Sequence, residues 1–322
     1  MSKEKKWMIA GIIMVAVGIV LSVAALTLYT IGNRSKKPVN VGIGAKYVTN
    51  TYEVGEFDDI EITAKIERIN FKPSDTGKGY VVCYEDADFL HVVKDENRVL
   101  KITDTYDSFL NFTFTVETPT ITVFLPKSEY SKLKIDSETG DVDIPENFSF
   151  ESIDIKLSTG DVNMGSSCRG DMDIKTSTGK IEVNDISADD VTLRTSTGSI
   201  KASGIKCGGE MNVDVSTGKC NLSDIVCESF YSTGSTGKVT LTGVKAQNRF
   251  SVERSTGDIN IKGCDAENVH LKTATGDITG SLCTGKDFST DTNTGKVSVP
   301  ESAGTGKCSV STNTGNINIS VE

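Results

Sequence analysis

Two pairs of aspartates occur at the same point of a regular sequence pattern. Each aspartate directly follows a Thr-Gly dipeptide: Asp141 and Asp161 form one pair, Asp258 and Asp277 the other. If consecutive repeats stack, each pair places two carboxylates one layer apart, and hard oxygen ligands of this kind suit calcium. The Gly-Gly-x-Gly-x-Asp signature of calcium-binding β-rolls is absent, however. We therefore interpret these four residues as a solvated polar turn and keep calcium binding as the alternative.

Paired carboxylates also raise the question of glycan cleavage, because lyases and hydrolases built on β-helices use such pairs. Candidates are Asp171 with Asp173, and Asp189 with Asp190. The repeat length stays at 19 or 20 residues throughout, which leaves no insertion to wall a substrate groove. No phosphate-binding Gly-x-x-x-x-Gly-Lys-Ser/Thr loop occurs either. We expect no enzyme and no cofactor, with a glycan-active enzyme as the least favoured alternative.

Four of the eight cysteines recur at fixed offsets from the Thr-Gly glycines. Cys207 and Cys227 follow a glycine by nine residues, and Cys264 and Cys283 by seven. Other repeats place small apolar residues at or near these offsets, which predicts buried, reduced thiols. A disulfide between stacked layers is the alternative, although parallel side chains are poorly oriented for one. With two histidines and no Cys-x-x-Cys motif, we expect no zinc site.

A third pattern is the tetrapeptide Thr-x-Thr-Gly. It begins at Thr176, Thr195, Thr273, Thr292 and Thr312. A flat array of such threonines would suit ice binding. Other residue types interrupt the column, which argues against that function: Leu157, Val215, Gly234 and Arg254.

The elements that position these residues follow from the repeat itself, because Thr-Gly recurs ten times in register. Its glycines are Gly140, Gly160, Gly179, Gly198, Gly218, Gly237, Gly257, Gly276, Gly295 and Gly315. Apolar residues alternate on either side of the dipeptide, which indicates half-buried strands, and a period this short cannot hold a crossover helix. The sequence therefore predicts an all-β chain, a parallel β-helix of about ten coils. We expect the ten glycines to be structural turn residues, at corners that need positive φ or close approach between layers.

An apolar segment precedes the repeats. Residues 7–31 carry no charge and, as a helix, would span about 37 Å, enough for a hydrocarbon core of about 30 Å. We predict a cytoplasmic tail (1–6), an uncleaved transmembrane anchor (7–31), a stalk (32–56), irregular first coils with a cap (57–130) and regular repeats (131–322). The repeat body is expected outside the cell.

The charge distribution restricts the partners. The chain carries −10 in total, and its first 37 residues hold six Lys/Arg and one Glu, so residues 38–322 carry −15. An acidic body does not suit nucleic acid. The remaining partners are the membrane, a cell-wall polymer or another envelope protein. A further expectation concerns Ile317, Ile319 and Val321, which predict an uncapped final coil and self-association through it.

The Lys-rich start with a single span, the Phe57-Asp-Asp-Ile-Glu-Ile segment and the tandem Ser-Thr-Gly-Asp-Ile and Ser-Thr-Gly-Lys-Val repeats resemble the bacterial β-strand-repeat family called "putative adhesins", a domain of unknown function. The resemblance covers residues 45–322. It implies a right-handed, single-stranded β-helix on membrane-anchored envelope proteins of Gram-positive bacteria, and it supplies no catalytic residues. We therefore predict a non-catalytic envelope protein for adhesion, scaffolding or envelope stress, with end-to-end self-assembly as the alternative.

Overall fold

The computed structural model describes residues 46–105, 118–301, 304 and 306–322. All of them belong to one compact unit, Ala45–Asp107 with Thr115–Glu322. The predicted anchor (7–31) lies outside the described residues, and within them no helix is long and apolar enough to cross a membrane. The regular structure described is entirely β.

The described residues form 24 strands joined in one sheet. The first seven are β1 (Tyr47–Glu53), β2 (Asp59–Ala64), β3 (Arg68–Pro73), β4 (Tyr80–Asp86), β5 (Val92–Glu96), β6 (Val99–Thr103) and β7 (Thr120–Leu125). The repeats begin with β8 (Glu129–Thr139), β9 (Val142–Ile144), β10 (Ser149–Thr159), β11 (Val162–Met164), β12 (Ser167–Cys168), β13 (Met172–Asn184), β14 (Ser187–Ala188), β15 (Val191–Cys207) and β16 (Glu210–Thr233). The last eight are β17 (Val239–Thr256), β18 (Ile259–Cys264), β19 (Asn268–Thr275), β20 (Ile278–Leu282), β21 (Lys286–Thr294), β22 (Val297–Ser298), β23 (Gly306–Thr314) and β24 (Ile317–Val321).

Each repeat is one coil of a parallel β-solenoid, which has about nine turns. In the coil that contains β13 and β14, three stretches pair with the next coil in parallel: Met172 aligns with Val191, Ile181 with Ile200, and Ser187 with Lys206. The Thr-Gly corner separates the first stretch from the second. Alternate residues point inward, as the apolar alternation of the sequence requires.

The core is a set of in-register columns along the solenoid. Ile155, Ile174, Leu193 and Val213 occupy one column in consecutive coils, and each is at most 2% exposed. Such a column buries every layer against the next, which a single coil could not do alone.

The final coil is not at the end of the stack, which corrects the predicted open edge. Strand β23 lies between β19 and β21, and β24 lies between β20 and β22. Ile317 and Ile319 are accordingly at most 2% exposed. Each coil offers the same parallel ladder, so the last coil pairs on both sides instead of capping one. Within the described residues, the outermost layer at this end is β21 with β22.

The opposite end shows the same kind of insertion. Strand β2 lies between β6 and β8, and β3 lies between β7 and β9, all in parallel. Beyond β6 and β7 the pairing becomes antiparallel, with β5 against β6 and with β4 between β7 and β1. We call β1 and β4–β7 the N-terminal cap.

Candidate functional sites: the turn column and a buried histidine cluster

The ten Thr-Gly glycines form one column at a corner of the solenoid, and all ten have a φ angle between +135° and +159°. These are Gly140, Gly160, Gly179, Gly198, Gly218, Gly237, Gly257, Gly276, Gly295 and Gly315. A Cβ added at any of them would lie 1.6–2.2 Å from a backbone carbonyl oxygen of the neighbouring coil. A side chain would therefore be strained by φ and also blocked by backbone. The column is a structural feature and offers no side-chain chemistry.

The order of glycines in this column departs from chain order at the C-terminal end. The carbonyl nearest to an added Cβ belongs to Gly276 for Gly315, and to Gly315 for Gly295. Gly315 therefore lies between Gly276 and Gly295, as the insertion of β23 and β24 requires. At the other end, Gly140 approaches the carbonyl of Glu67, which belongs to the inserted coil of β2 and β3. Positive φ and close approach hold at these irregular layers as well as at the regular ones.

In four of the five Thr-x-Thr-Gly tetrapeptides the first threonine points into the solenoid, whereas Thr292 is only half-buried. Thr176, Thr195, Thr273 and Thr312 are 1–4% exposed. Each hydroxyl donates a hydrogen bond of 3.1–3.2 Å to the carbonyl of the preceding glycine in the stack. These threonines therefore satisfy the carbonyls of the glycine column, and a buried hydroxyl cannot contribute to an ice-binding face.

The four candidate calcium ligands lie at the solenoid surface, where they bond to the next coil. Asp141 Oδ1 accepts the backbone N–H of Asp161 at 3.0 Å, and Asp258 Oδ1 accepts that of Asp277 at 3.1 Å. Asp161 and Asp277 accept N–H groups in turn, from Lys180 at 2.7 Å and from Asn316 at 2.6 Å. The column is thus a ladder of carboxylates that accept backbone N–H groups. Among the residues that the structure describes, the clusters of three close metal-ligand atoms include none of these aspartates.

The cysteines are unpaired thiols, and seven of the eight are buried. Burial raises the pKa of Cys207 to about 11, that of Cys227 to about 12 and that of Cys264 to about 11. Cys283 is only half-buried, which corrects its predicted core position. The register shifts after Ile261, so that Cys264 aligns with Leu282 and Cys283 falls outside the core column.

A buried polar cluster lies where the N-terminal cap meets the first coil. Its centre is His91, which precedes β5, with a side chain 3% exposed. Glu67 comes from the turn between β2 and β3, Cys83 and Glu85 come from β4, and Asp104 directly follows β6. The side chains of Glu67, Glu85 and Asp104 are at most 6% exposed. Three carboxylates thus surround one imidazole in the interior.

The Nδ1 side of His91 faces Glu85. Glu85 Oε2 lies 2.6 Å from Nδ1 and also accepts the backbone N–H of His91 at 2.6 Å. Its other oxygen, Oε1, accepts hydrogen bonds from Asn50 Nδ2 at 2.8 Å and from the Tyr52 hydroxyl at 2.7 Å. Four donors therefore fix this carboxylate, which in turn fixes the imidazole ring.

The Nε2 side of His91 faces two other carboxylates. Asp104 Oδ1 lies 3.2 Å from Nε2, and Glu67 Oε1 lies 3.6 Å from it. Neither contact is a hydrogen bond, because His91 Nε2 has no hydrogen-bond partner. Asp104 Oδ2, the other oxygen of that carboxylate, is also buried without a partner. Glu67 Oε2, by contrast, accepts the backbone N–H groups of Lys65 and Ile66, each at 2.8 Å.

The electrostatics of the cluster favour charge on Glu67 and His91. Burial opposes ionisation of Glu67, but interactions with His91 and the backbone outweigh it and leave the pKa of Glu67 below its usual value. Burial also opposes the charged form of His91, and interactions with Asp104, Cys83 and Glu67 raise its pKa above the ordinary value. For Asp104, burial dominates and raises the pKa.

The sequence did not predict this cluster. Its members are spread over residues 67–104 without a regular spacing and come from separate strands and turns. The second histidine, His270, lies at the surface, where its Nε2 is 3.6 Å from Glu253 Oε1. The one signal was the presence of a histidine, a cysteine and several acids within the irregular segment, which matches no ligand motif.

The comparisons with known proteins concern the whole solenoid. Among solved structures, the chain is similar to a "putative adhesin" from Bacteroides fragilis NCTC 9343, with 14% identity, 87% of this chain and 100% of that chain covered, and a TM-score of 0.41. It is similar to another from Parabacteroides distasonis ATCC 8503, with 14% identity, 85% and 99% covered, and a TM-score of 0.44. A "putative lipid binding protein" from the same organism has 16% identity, 73% and 96% covered, and a TM-score of 0.41.

No curated protein matches the chain. A family model does: the one described as Toastrack DUF4097 matches residues 57–224 and 208–322. These two matches span most of the chain and include strands β4–β7 of the N-terminal cap and all of the repeats. The chain belongs to the Toastrack DUF4097 family.

Proposed function

We propose that the protein is a non-catalytic envelope protein, anchored by residues 7–31, whose extracellular solenoid binds a cell-wall polymer. A solenoid repeats its surface side chains at the strand spacing of about 4.8 Å. A polymer that lies along such a surface gains many weak contacts at once, and together these give useful avidity.

The observation that carries this proposal is a column of cations on an otherwise acidic body. Lys156, Lys175 and Arg194 align in three consecutive coils. They line a shallow groove of about 340 Å³. Lys156 Nζ lies 3.0 Å from Asp154, and Lys175 bonds to Asp173 of its own strand. Arg194 has no ion pair among the described residues, so its guanidinium is free for a phosphate or carboxylate group.

The test is co-sedimentation of the full-length protein, in mild detergent, with isolated cell walls. A variant with Gln at 156, 175 and 194 should lose most of the binding. A matched control with Gln at three other exposed lysines (Lys245, Lys262 and Lys307) has the same net charge and should bind like the wild type. Equal binding by both variants, or no wild-type binding, would show that this surface does not hold the polymer.

The anchor and the orientation are tested separately. Membrane fractionation of cells should recover the full-length protein in the membrane, and a chain lacking residues 7–31 should leave that fraction. External protease added to intact cells should degrade the solenoid. A solenoid protected until the cells are lysed would place it in the cytoplasm instead.

The non-catalytic part of the proposal is supported by the even coil length and by where the acidic clusters lie. Glu67, Glu85 and Asp104 are buried, so that a glycan chain cannot reach them. Incubation with wall glycans should release no products. Release of new reducing ends would favour the glycan-active alternative.

One observation favours self-association as a second candidate. In the described residues, β21 pairs only with β23 and β22 only with β24, so each has an open edge. Val297 in this layer is 44% exposed. Unpaired strand edges invite pairing with another chain. Analytical ultracentrifugation at rising concentration should show assembly that Val297→Lys weakens. A wild-type protein that stays monomeric would remove this candidate.

A further inference from the structure

We propose that His91, Glu67 and Asp104 bind a divalent transition-metal ion, with zinc as the preferred ion. The three ligand atoms, His91 Nε2 and one oxygen from each carboxylate, lie within 4.8 Å of one another. The proposal does not depend on the polymer-binding function, because the cluster lies inside the protein.

The distances around His91 Nε2 fit metal ligation. Ligands about 2.1 Å from a tetrahedral zinc ion lie about 3.4 Å from one another. The observed separations from Nε2 are 3.2 Å to Asp104 and 3.6 Å to Glu67. The 3.2 Å separation would allow an N–H···O hydrogen bond by length, but the geometry gives none, because Nε2 has no hydrogen-bond partner. Nε2 is buried without a hydrogen-bond partner between two carboxylates, and a metal ion bound there would displace the Nε2 proton of the charged imidazole.

The Nδ1 side of the ring supports the same assignment. Nδ1 and Glu85 Oε2 are 2.6 Å apart, too close for two ligands of one ion but suited to a hydrogen bond. A histidine that binds a metal commonly donates its other ring N–H to a carboxylate, which fixes the tautomer. Glu85 is therefore a positioning residue. Cys83 forms a second close group with Glu85 and His91, and that group includes neither Glu67 nor Asp104.

The remaining oxygens show that the site is held in place. Glu67 Oε2 is occupied by two backbone N–H groups, which leaves Oε1 as its ligand atom. Asp104 Oδ2 is buried and unpartnered, so it is available as a further ligand on the same ion. One imidazole with carboxylates suits zinc, manganese or iron, whereas calcium and magnesium prefer oxygen ligands alone.

The position of the site suggests what the ion would do. Glu67 lies in the turn between β2 and β3, in the coil inserted at this end of the solenoid, whereas His91 and Asp104 belong to the N-terminal cap. An ion held by all three would tie the cap to the solenoid. Metal binding should stabilise the protein, because the ion binds the folded state alone. The effect should be greatest at the cap, because two of the three ligands lie there.

The experiment uses the full-length protein in mild detergent after removal of metals with a chelator. Zinc is added, unbound metal is removed by gel filtration, and the retained metal is measured. We expect about one zinc per chain, a raised thermal midpoint, and X-ray absorption with nitrogen and oxygen neighbours and no sulfur. The absorption measurement needs no variant. A sulfur neighbour, or less than a tenth of an equivalent of retained zinc, would overturn the proposal; the second result would mean a buried histidine–carboxylate ion pair only.

Variants locate the ion. Glu67→Gln and Asp104→Asn keep the side-chain shape and should each weaken zinc binding at least tenfold, and Glu85→Gln should weaken it 10- to 100-fold through loss of orientation. Glu61→Gln removes a partly exposed carboxylate of β2 that belongs to neither close ligand group and should bind like the wild type. Cys83→Ser should also retain binding. Loss of binding in Cys83→Ser with retention in Glu67→Gln would refute this ligand set.

Discussion

Substitution of Gly237 by alanine tests the account of the turn column most directly. The φ angle of Gly237 is +135°, and an added Cβ would lie 1.7 Å from the carbonyl oxygen of Gly218. Contacts of this kind are essentially never shorter than 3.0 Å, so the two coils must separate by about 1.3 Å at this corner. The obstacle is backbone, which cannot rotate away.

The magnitude follows from two contributions. A residue other than glycine at this φ costs about 1–3 kcal/mol in strain. Separation of the coils that contain Gly218 and Gly237 also weakens the hydrogen bonds from Gly218 N to Thr236 O (2.8 Å) and from Cys220 N to Lys238 O (3.0 Å), each worth about 1 kcal/mol. We expect Gly237→Ala to lower the free energy of unfolding by about 3–5 kcal/mol.

The matched control is Gly263→Ala. Gly263 also has positive φ (+57°), but the nearest atom to an added Cβ is Glu322 Oε2 at 3.5 Å. It should cost only the strain, about 1–2 kcal/mol. Urea unfolding followed by circular dichroism compares the two variants, and native-state hydrogen exchange shows whether the loss is confined to the coils around residue 237. A Gly237→Ala protein no less stable than Gly263→Ala would refute the argument from close approach.

Three further predictions concern the core and the coil order. Thr195→Val removes the buried hydroxyl that bonds to Gly179 O at 3.1 Å and should lower the free energy of unfolding by about 1–2 kcal/mol. The control Thr197→Val, at an exposed threonine, should change it by less than about 0.5 kcal/mol in urea unfolding; equal effects would contradict the buried hydrogen bond. Burial raises the pKa of Cys227 to about 12, so the folded protein keeps this thiol proton, whereas the unfolded chain loses it above about pH 8.5. The free energy of unfolding should therefore fall as the pH rises from about 8.5 towards 12, and it should fall less steeply in Cys227→Ala; identical slopes in thermal melts would argue against a buried thiol. Deletion of residues 306–322 should release 286–298 to limited proteolysis, since that segment pairs through the deleted strands; continued protection of 286–298 would mean that the coils stack in chain order.

Local features of the sequence predict the coil. The apolar alternation sets the inward and outward faces, and the Thr-Gly glycine marks a corner where no side chain fits. These properties depend on neighbours along the chain and on a copy of the same pattern one repeat away. For this reason the period alone predicts a parallel β-solenoid, its corner and the column that contains Ile174 and Leu193.

The order of the coils depends on the tertiary structure. Every coil offers a similar ladder, so the pattern of Ile317 and Ile319 fits the interior of the stack as well as its end. The same holds for Cys283, whose offset matches that of Cys264 although a register shift turns it out of the column. Residues at the same offset in the repeat can therefore be buried or exposed, depending on which coil lies next to theirs.

The cluster around His91 shows the limit most clearly. In the sequence, nothing distinguishes the acids of this cluster from ordinary exposed acids, and their spacing does not relate them to one histidine: they are Glu67, Glu85 and Asp104. Only the insertion of β2 and β3 beneath the N-terminal cap brings a turn, a strand and a strand end together. The sequence by itself determined the repeated architecture, because each coil follows from the pattern within one repeat and its copy in the next. The tertiary structure decided the cluster, because contacts between segments that do not repeat depend on the order in which the strands stack.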